Sequence, residues 1–328
     1  MITIKEIAEM ANVSRSTVSR ALNNNGYVGV EARKRIEKVI KETGYIPSQQ
    51  AKSLRTKQTK VIGVIVPTIQ TETSSKVVAG IDRILAAQDY QILLTNTNLA
   101  HNREEEYIQL LRARQVDGII LMATNTNEEI IEQIKALTIP IVIIGQEIEG
   151  VPNILYDDYN AARELTSLII KKGHTKISFI GVNEVDKAVG YSRKKGYLDV
   201  MKENNLKVEE SWIQTGIFDV ASGATAMKSI MESSARIPTA TFAVTDRLAI
   251  GAMSYLKEAG YQVPTDMALV SIGASEISAY VEPPLTTIDF QYEKAGEAAA
   301  QLMLQAFTSE NYKKKLVIDY RLIFRSSI

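Results

Sequence analysis

The sequence predicts an all-α head joined to an α/β body of two doubly wound parallel-sheet lobes, and three observations predict it. The 328 residues exceed what one simple core holds, so two or three domains are expected. The formal net charge of zero conceals an asymmetry: residues 1–60 hold 12 Lys and Arg against 5 acids, and the other 268 hold 26 against 33. At Val61 the hydrophobic pattern changes from helical spacing to short apolar runs separated by amphipathic stretches. A basic head on an acidic body is the charge pattern of a nucleic-acid-binding module joined to a domain of another kind.

The head reads as three short helices. Thr3 and Glu6 have capping-box spacing, which starts a first helix running to about Met10 with Ile4, Ile7, Ala8 and Ala11 inward. Asn12 suits a left-handed turn, and Ser14 caps a second helix within "VSRSTVSRALN", residues 13–23. Only Val13, Val18, Ala21 and Leu22 of that stretch can dock on a core; the remainder is hydroxyls and guanidinium forks. A third helix from near Glu31 to before Gly44 brings Ile36, Val39 and Ile40 to close the core, with Arg33, Lys34 and Arg35 read chiefly as a solvated face. This arrangement is a helix-turn-helix, whose second helix enters the major groove of DNA. Arginine pairs bidentately with guanine, and small hydroxyls reach bases or phosphates. Arg15, Ser16 and Arg20 are therefore assigned to base readout, and Ser14, Thr17 and Asn23 to backbone anchoring. The alternative for Arg15 and Ser16 is idle helix surface.

The body begins with buried-strand runs "KVIGVIVP", "YQILLTNTN", "VDGIILMA" and "IPIVIIGQ", separated by helical stretches near 74–88, 102–114 and 127–136. The rhythm restarts after Asp157 with "HTKISFIGV", "TATFAVTD" and "MALVSIGA" and helices near 158–171, 189–204, 219–232 and 246–258. Two lobes of this kind bind a small molecule in the cleft between them, near strand C-terminal ends. The chain has no cysteine, which excludes disulfides, thiol metal sites and cysteine nucleophiles. It has no apolar run long enough to span a membrane, and "MITIKEIAEM" lacks a secretory pattern, so a cytoplasmic protein is expected. His101 and His174 are isolated, which leaves no zinc set or histidine–serine pair. Adjacent Asp157 and Asp158 read as caps of the following helix, and "GAMSYLKEAG" and "GEAAAQ" read as helix-packing glycines with no phosphate-loop order. Neither an enzyme nor a cofactor is expected.

"TIKEIAEMANVSRSTVSRALN", followed by "YIPSQQAKSLRTKQTKVIGVIVP", closely resembles the lactose-repressor (LacI) family of bacterial transcription regulators. The likeness continues through "QVDGIIL", "KKGHTKISFIG", "RKKGYLDVM", "VTDRLAIGAMSYLKEAG" and "PPLTTIDFQYEKAGEAAAQLM", covering nearly all of the chain, with a body like a periplasmic sugar-binding protein. The resemblance implies a helix-turn-helix domain at 1–47, a hinge helix and linker at 48–60, and an effector-binding and dimerisation domain at 61–328. Lobe 1 would take about 61–157 plus 290–314, and lobe 2 about 158–289 plus 315–328. Paired hinge helices would enter the minor groove with Leu54 as the wedge and Ala51 at the helix contact. Thr3, Tyr45 and Arg55 complete the implied DNA-facing set.

By the same resemblance, Arg193 bonds sugar hydroxyls or a ligand anion, Phe218 stacks on the ligand, and Gln146 with the Thr71 and Thr73 loop completes the lining. Thr245 and Asp246 stand at a strand end, where Asp246 bonds ligand or caps the helix. Relatives often carry aspartate where this chain has Gly273-Ala274. Loss of that acid near Arg193 and Lys187 suits a phosphorylated sugar, while a neutral disaccharide remains open. "ILYDDYNAA", the "FIGV" after "GHTKIS" and "VTDRLAIGAMSYL" are most similar to repressors of disaccharide operons such as trehalose or sucrose. The implied function is an operator-binding homodimer, without C-terminal heptads, released by a sugar or sugar phosphate. The alternative is a catabolite-control regulator of the same fold that takes a phosphorylated carrier protein as corepressor.

Overall fold

The computed structural model describes residues 2–23, 25–45, 58–100, 102–309 and 314–328, without the side chain of Asn23. It divides into two units, residues 1–59 and 60–328. The first holds three helices, α1 (Ile4–Met10), α2 (Arg15–Asn23) and α3 (Val30–Thr43). Thr3 Oγ1 accepts from the Glu6 backbone N–H while the Glu6 carboxylate accepts from the Thr3 N–H, so the capping box closes at both ends. Asn12 takes φ +48°, turning the chain so that the Val13 N–H reaches the Ala8 carbonyl. Ile7, Ala8, Ala11, Val18, Ala21, Ile36 and Val39 form the small core, which Ile40 and Tyr45 flank.

The second unit carries two six-stranded sheets. The first contains β1 (Val61–Val66), β2 (Gln91–Asn96), β3 (Gly118–Met122), β4 (Ile141–Ile144), β5 (Asn153–Tyr156) and β11 (Lys315–Ile318), in the order β11-β5-β4-β3-β1-β2, all parallel. The second contains β6 (Ile177–Gly181), β7 (Ile213–Thr215), β8 (Ala240–Ala243), β9 (Ala268–Ile272), β10 (Thr286–Asp289) and β12 (Arg321–Ile323), in the order β12-β10-β9-β8-β6-β7. Only β12 runs antiparallel. Strands β1, β3 and β4 are buried nearly throughout, as sheets covered on both faces by helices require.

The helices that cover the first lobe are α4 (Glu72–Ala86), α5 (Asn102–Ala113), α6 (Glu128–Lys135) and α11 (Tyr292–Ala306). Those of the second are α7 (Asp158–Lys171), α8 (Arg193–Glu203), α9 (Val220–Ser233) and α10 (Asp246–Glu258), with a π-helical segment, Lys187–Ser192, leading into α8. One boundary differs from the sequence expectation. Lys315–Ile318 pairs with β5 and so extends the first sheet, and the crossing to the second lobe falls between Ile318 and Arg321 rather than near 315. The strand is mostly exposed and short, so its period carried no buried-face signal.

Each lobe packs one helix pair through reciprocal glycines. In the first, a Cβ at Gly80 would strike the Glu293 carbonyl and one at Gly296 the Val77 carbonyl. In the second, Gly223 lies against the Leu248 carbonyl and Gly251 against that of Val220. A methyl group at any of these positions meets backbone that cannot turn aside. Gly251→Ala is expected to destabilise the protein by about 2–3 kcal/mol, as overpacking does. A urea midpoint unchanged from the parent would contradict it.

Candidate functional site

The DNA-facing assignment begins with hydroxyls. Ser14 Oγ accepts from the Thr17 backbone N–H at 3.1 Å, capping α2, and also lies 2.7 Å from Ser16 Oγ and 2.8 Å from Thr17 Oγ1. Arg15, Ser16 and Arg20 are exposed, and among the described side chains of α2 those that are buried are Val18 and Ala21. The helix therefore presents one polar face held in place by a small apolar one. Thr3 is occupied by its capping box, and Tyr45 is half-buried against the head core, leaving each only partial freedom for another partner. Ala51, Leu54, Arg55 and His101 lie outside the described residues, as does the side chain of Asn23.

The second site is a cleft between the lobes, enclosing about 1020 Å³ including its open mouth. Thr71 and Thr73 at the start of α4, Gln146 after β4, Arg193 at the start of α8, Phe218 after β7, and Thr245 and Asp246 around the start of α10 all line it. Strand C-terminal ends deliver most of these groups, as the doubly wound topology directs. Phe218 holds φ +67°, an uncommon conformation for an aromatic residue, while its ring lines the cleft. Tyr156 and Tyr292 add two further rings, edge to face at 5.3 Å. The Tyr156 hydroxyl, Arg247 Nε and Ser275 Oγ are buried without a hydrogen-bond partner among the described residues, and all three residues line this cleft. Buried polar atoms are seldom left unpartnered, and these three sit in the wall of the cleft.

Arg193 is almost fully buried. Its Nε donates to Asp158 Oδ1 at 2.6 Å, its Nη1 donates to the Val244 carbonyl, and the guanidinium lies 5.4 Å over the Phe290 ring. Burial pushes Asp158 up, and the guanidinium opposes it. Asp246 accepts from Ser271 Oγ at 2.5 Å, Thr287 Oγ1 at 2.7 Å and the Ser275 N–H at 2.6 Å. The helix cap belongs to Thr245, which accepts from the Leu248 N–H, so Asp246 anchors β9, β10 and the loop between them instead.

Residues 3–48 match the family model for bacterial regulatory proteins of the lacI family, and residues 166–328 match the periplasmic binding protein-like domain. The HTH-type transcriptional repressor PurR of Vibrio atlanticus (strain LGP32) is 30% identical over 319 residues, covering 96% of this chain and 95% of that protein. This chain belongs to the LacI family. Catabolite control protein A of Priestia megaterium is likewise 30% identical, over 99% of both chains. Among solved structures, the transcriptional regulator CelR–cellobiose complex is 26% identical with a TM-score of 0.73, covering all of both chains. As a LacI-family protein the chain is a DNA-binding regulator answering to a small effector.

Against this LacI-family frame, one assigned effector residue falls away. Lys187 is exposed, lies 5.4 Å from the Tyr191 ring and is not among the residues that line the cleft, whereas its neighbours Asp186 and Ala188 are. The Gly273 position also gains a reason: a Cβ there would lie 3.1 Å from the Asp246 carboxylate, so an acid at 273 would meet a like charge. Asp158 was read as a helix cap, but Asp157 performs that role, accepting from the Asn160 N–H at 3.2 Å, while Asp158 is the counter-charge of Arg193. No sequence signal separated the two, since both spacings suit a cap.

Glu104 and Asp186 were not expected from sequence. Glu104 Oε1 accepts from the backbone N–H and hydroxyl of Thr124 at 2.9 and 2.7 Å, and its Oε2 is buried without a partner. Burial, with the Asp186 charge adding to it, lifts the Glu104 carboxyl to about 7. A folded-state pKa above the unfolded value of 4.5 means the folded state holds this proton more tightly. Stability therefore falls as pH rises from about 4.5 to 7, by about 3 kcal/mol from this group. Glu104→Gln should remove that slope; urea midpoints with the same pH dependence in both proteins would contradict it.

Proposed function

We propose that the chain is a homodimeric repressor of a sugar-utilisation operon. Arg15, Ser16 and Arg20 read bases of a near-palindromic operator, and a sugar bound in the cleft releases it. The observation that carries the sugar reading is the cleft itself. It pairs aromatic surfaces, Phe218, Tyr156 and Tyr292, with unpartnered buried polar atoms on Tyr156, Arg247 and Ser275. A sugar ring has both faces of that chemistry, apolar C–H faces for stacking and a rim of hydroxyls. The cellobiose complex of CelR supports a disaccharide among the sugars.

The mechanism is a shift between two lobe arrangements. Four polar links cross the cleft: Gln146 Nε2 to Asp186 Oδ1 (2.8 Å), Lys76 Nζ to the Ala274 carbonyl (3.0 Å), the Glu276 N–H to Glu72 (2.6 Å) and Arg247 to the Gln70 carbonyl (2.5 Å). A ligand that binds one lobe arrangement better than the other biases operator affinity by that difference. The likeness to catabolite control protein A supports a second reading, with a phosphorylated carrier protein as corepressor. Fluorescence anisotropy on a palindromic operator at fixed salt separates the two. Release by a sugar supports the first; tightening by the phosphorylated carrier alone supports the second.

A further inference from the structure

We infer that Asp186 is a charge filter: it admits effectors that present a hydroxyl or ammonium donor and rejects phosphorylated ones. This rests on the cleft being a sugar site. Asp186 leads into the π-helical segment, and its two oxygens have different fates. Oδ1 takes three donors, Gln146 Nε2 at 2.8 Å and the backbone N–H groups of Ala188 and Val189 at 3.1 and 2.9 Å. Oδ2 takes none among the described residues, and Asp186 lines the cleft. A buried carboxylate with a free oxygen on a ligand cavity calls for a donor there.

The charge around it points the same way. Glu72, Asp158, Asp186 and Asp246 line the cleft against Arg193 and Arg247. Arg193, the one deeply buried cation among the described residues, already has Asp158 as its partner, and Glu72 has Lys76 at 3.5 Å. Asp186 makes no ion pair among the described residues, although the Arg193 charge favours its ionised form, and its own charge raises the cost of ionising Glu104, whose second oxygen is buried. A phosphate placed at Oδ2 would meet a carboxylate oxygen that has no donor and no ion pair of its own, at short range in a partly dry site, where repulsion is strong. A hydroxyl or ammonium group would supply the missing donor.

Asp186→Asn isolates this atom. The amide oxygen can keep the three donors now on Oδ1, while the free oxygen becomes a donor and the charge is lost. The test is calorimetric titration of the full chain at pH 7.5 with glucose, glucosamine, trehalose, sucrose and cellobiose. Glucose 6-phosphate, trehalose 6-phosphate and sucrose 6-phosphate are titrated beside them. The expected result is that parent or amino sugars bind the wild type, their 6-phosphates bind at least about tenfold more weakly, and Asp186→Asn narrows that ratio about tenfold. A 6-phosphate that binds the wild type more tightly than its parent overturns the filter while leaving the sugar site standing. A ratio unmoved by Asp186→Asn overturns the assignment to this residue. If the variant does not fold, the wild-type ordering still decides whether the cleft rejects phosphate. No binding by any of these sugars removes the sugar reading, and the filter with it.

Discussion

Arg193→Met is expected to lower unfolding stability by about 3–5 kcal/mol, the loss seen when one partner of a buried ion pair is removed. Asp158 would be left buried, its Arg193 bond gone, in a site that already pushes it towards its neutral form. The Val244 carbonyl would lose a donor, and the Phe290 ring its guanidinium. Adding Asp158→Asn to Arg193→Met should recover part of the loss, because the stranded charge is then absent. Urea unfolding of the single and double variants reads both effects. A loss under about 1 kcal/mol for the single variant would show that Arg193 is held for the ligand rather than for the lobe.

Arg15→Ala is expected to weaken binding to the specific operator by about 1–3 kcal/mol and to relax sequence preference at one position of each half-site. Arg15 stands exposed at the first turn of α2, beside the Ser14–Ser16–Thr17 hydroxyl cluster that fixes the start of the helix. A residue that only neutralised phosphate would lose affinity for every sequence alike and reduce the salt dependence. Anisotropy on the operator and on a scrambled duplex distinguishes these outcomes. Equal losses on both would remove Arg15 from base readout.

The sequence patterns that survived best were those tied to burial. Strands β1, β3 and β4 are continuous apolar runs with both faces covered, and the starts of helices Asp158–Lys171 and Asp246–Glu258 are legible to within a residue, although spacing does not say which neighbour is the cap. The short edges β7, β11 and β12 were silent, since a strand of three or four half-exposed residues has too little period to read. The cleft followed the same rule. Phe218, Gln146, Arg193 and the threonines, which only the family resemblance pointed to, line the cleft, whereas Lys187, assigned in the same way, does not. Glu104, on a charged helix, and Asp186, at the cap of the π-helical segment, were invisible because a buried carboxyl looks like any solvated acid until its neighbours are known. Gly273 is legible only through Asp246, which occupies the space beside it.

The claim at the centre of this account is that the cleft and the α2 surface are linked. Linkage is reciprocal, so a ligand that weakens operator binding by a given factor must itself be bound that much more weakly when operator is present. The measurement is operator affinity by anisotropy with and without a cleft-binding sugar, and sugar affinity by calorimetry with and without operator, at one salt concentration. A neutral sugar is expected to weaken operator binding by about tenfold or more, with the same factor in the reverse titration. A sugar that occupies the cleft and leaves operator affinity unchanged would contradict it.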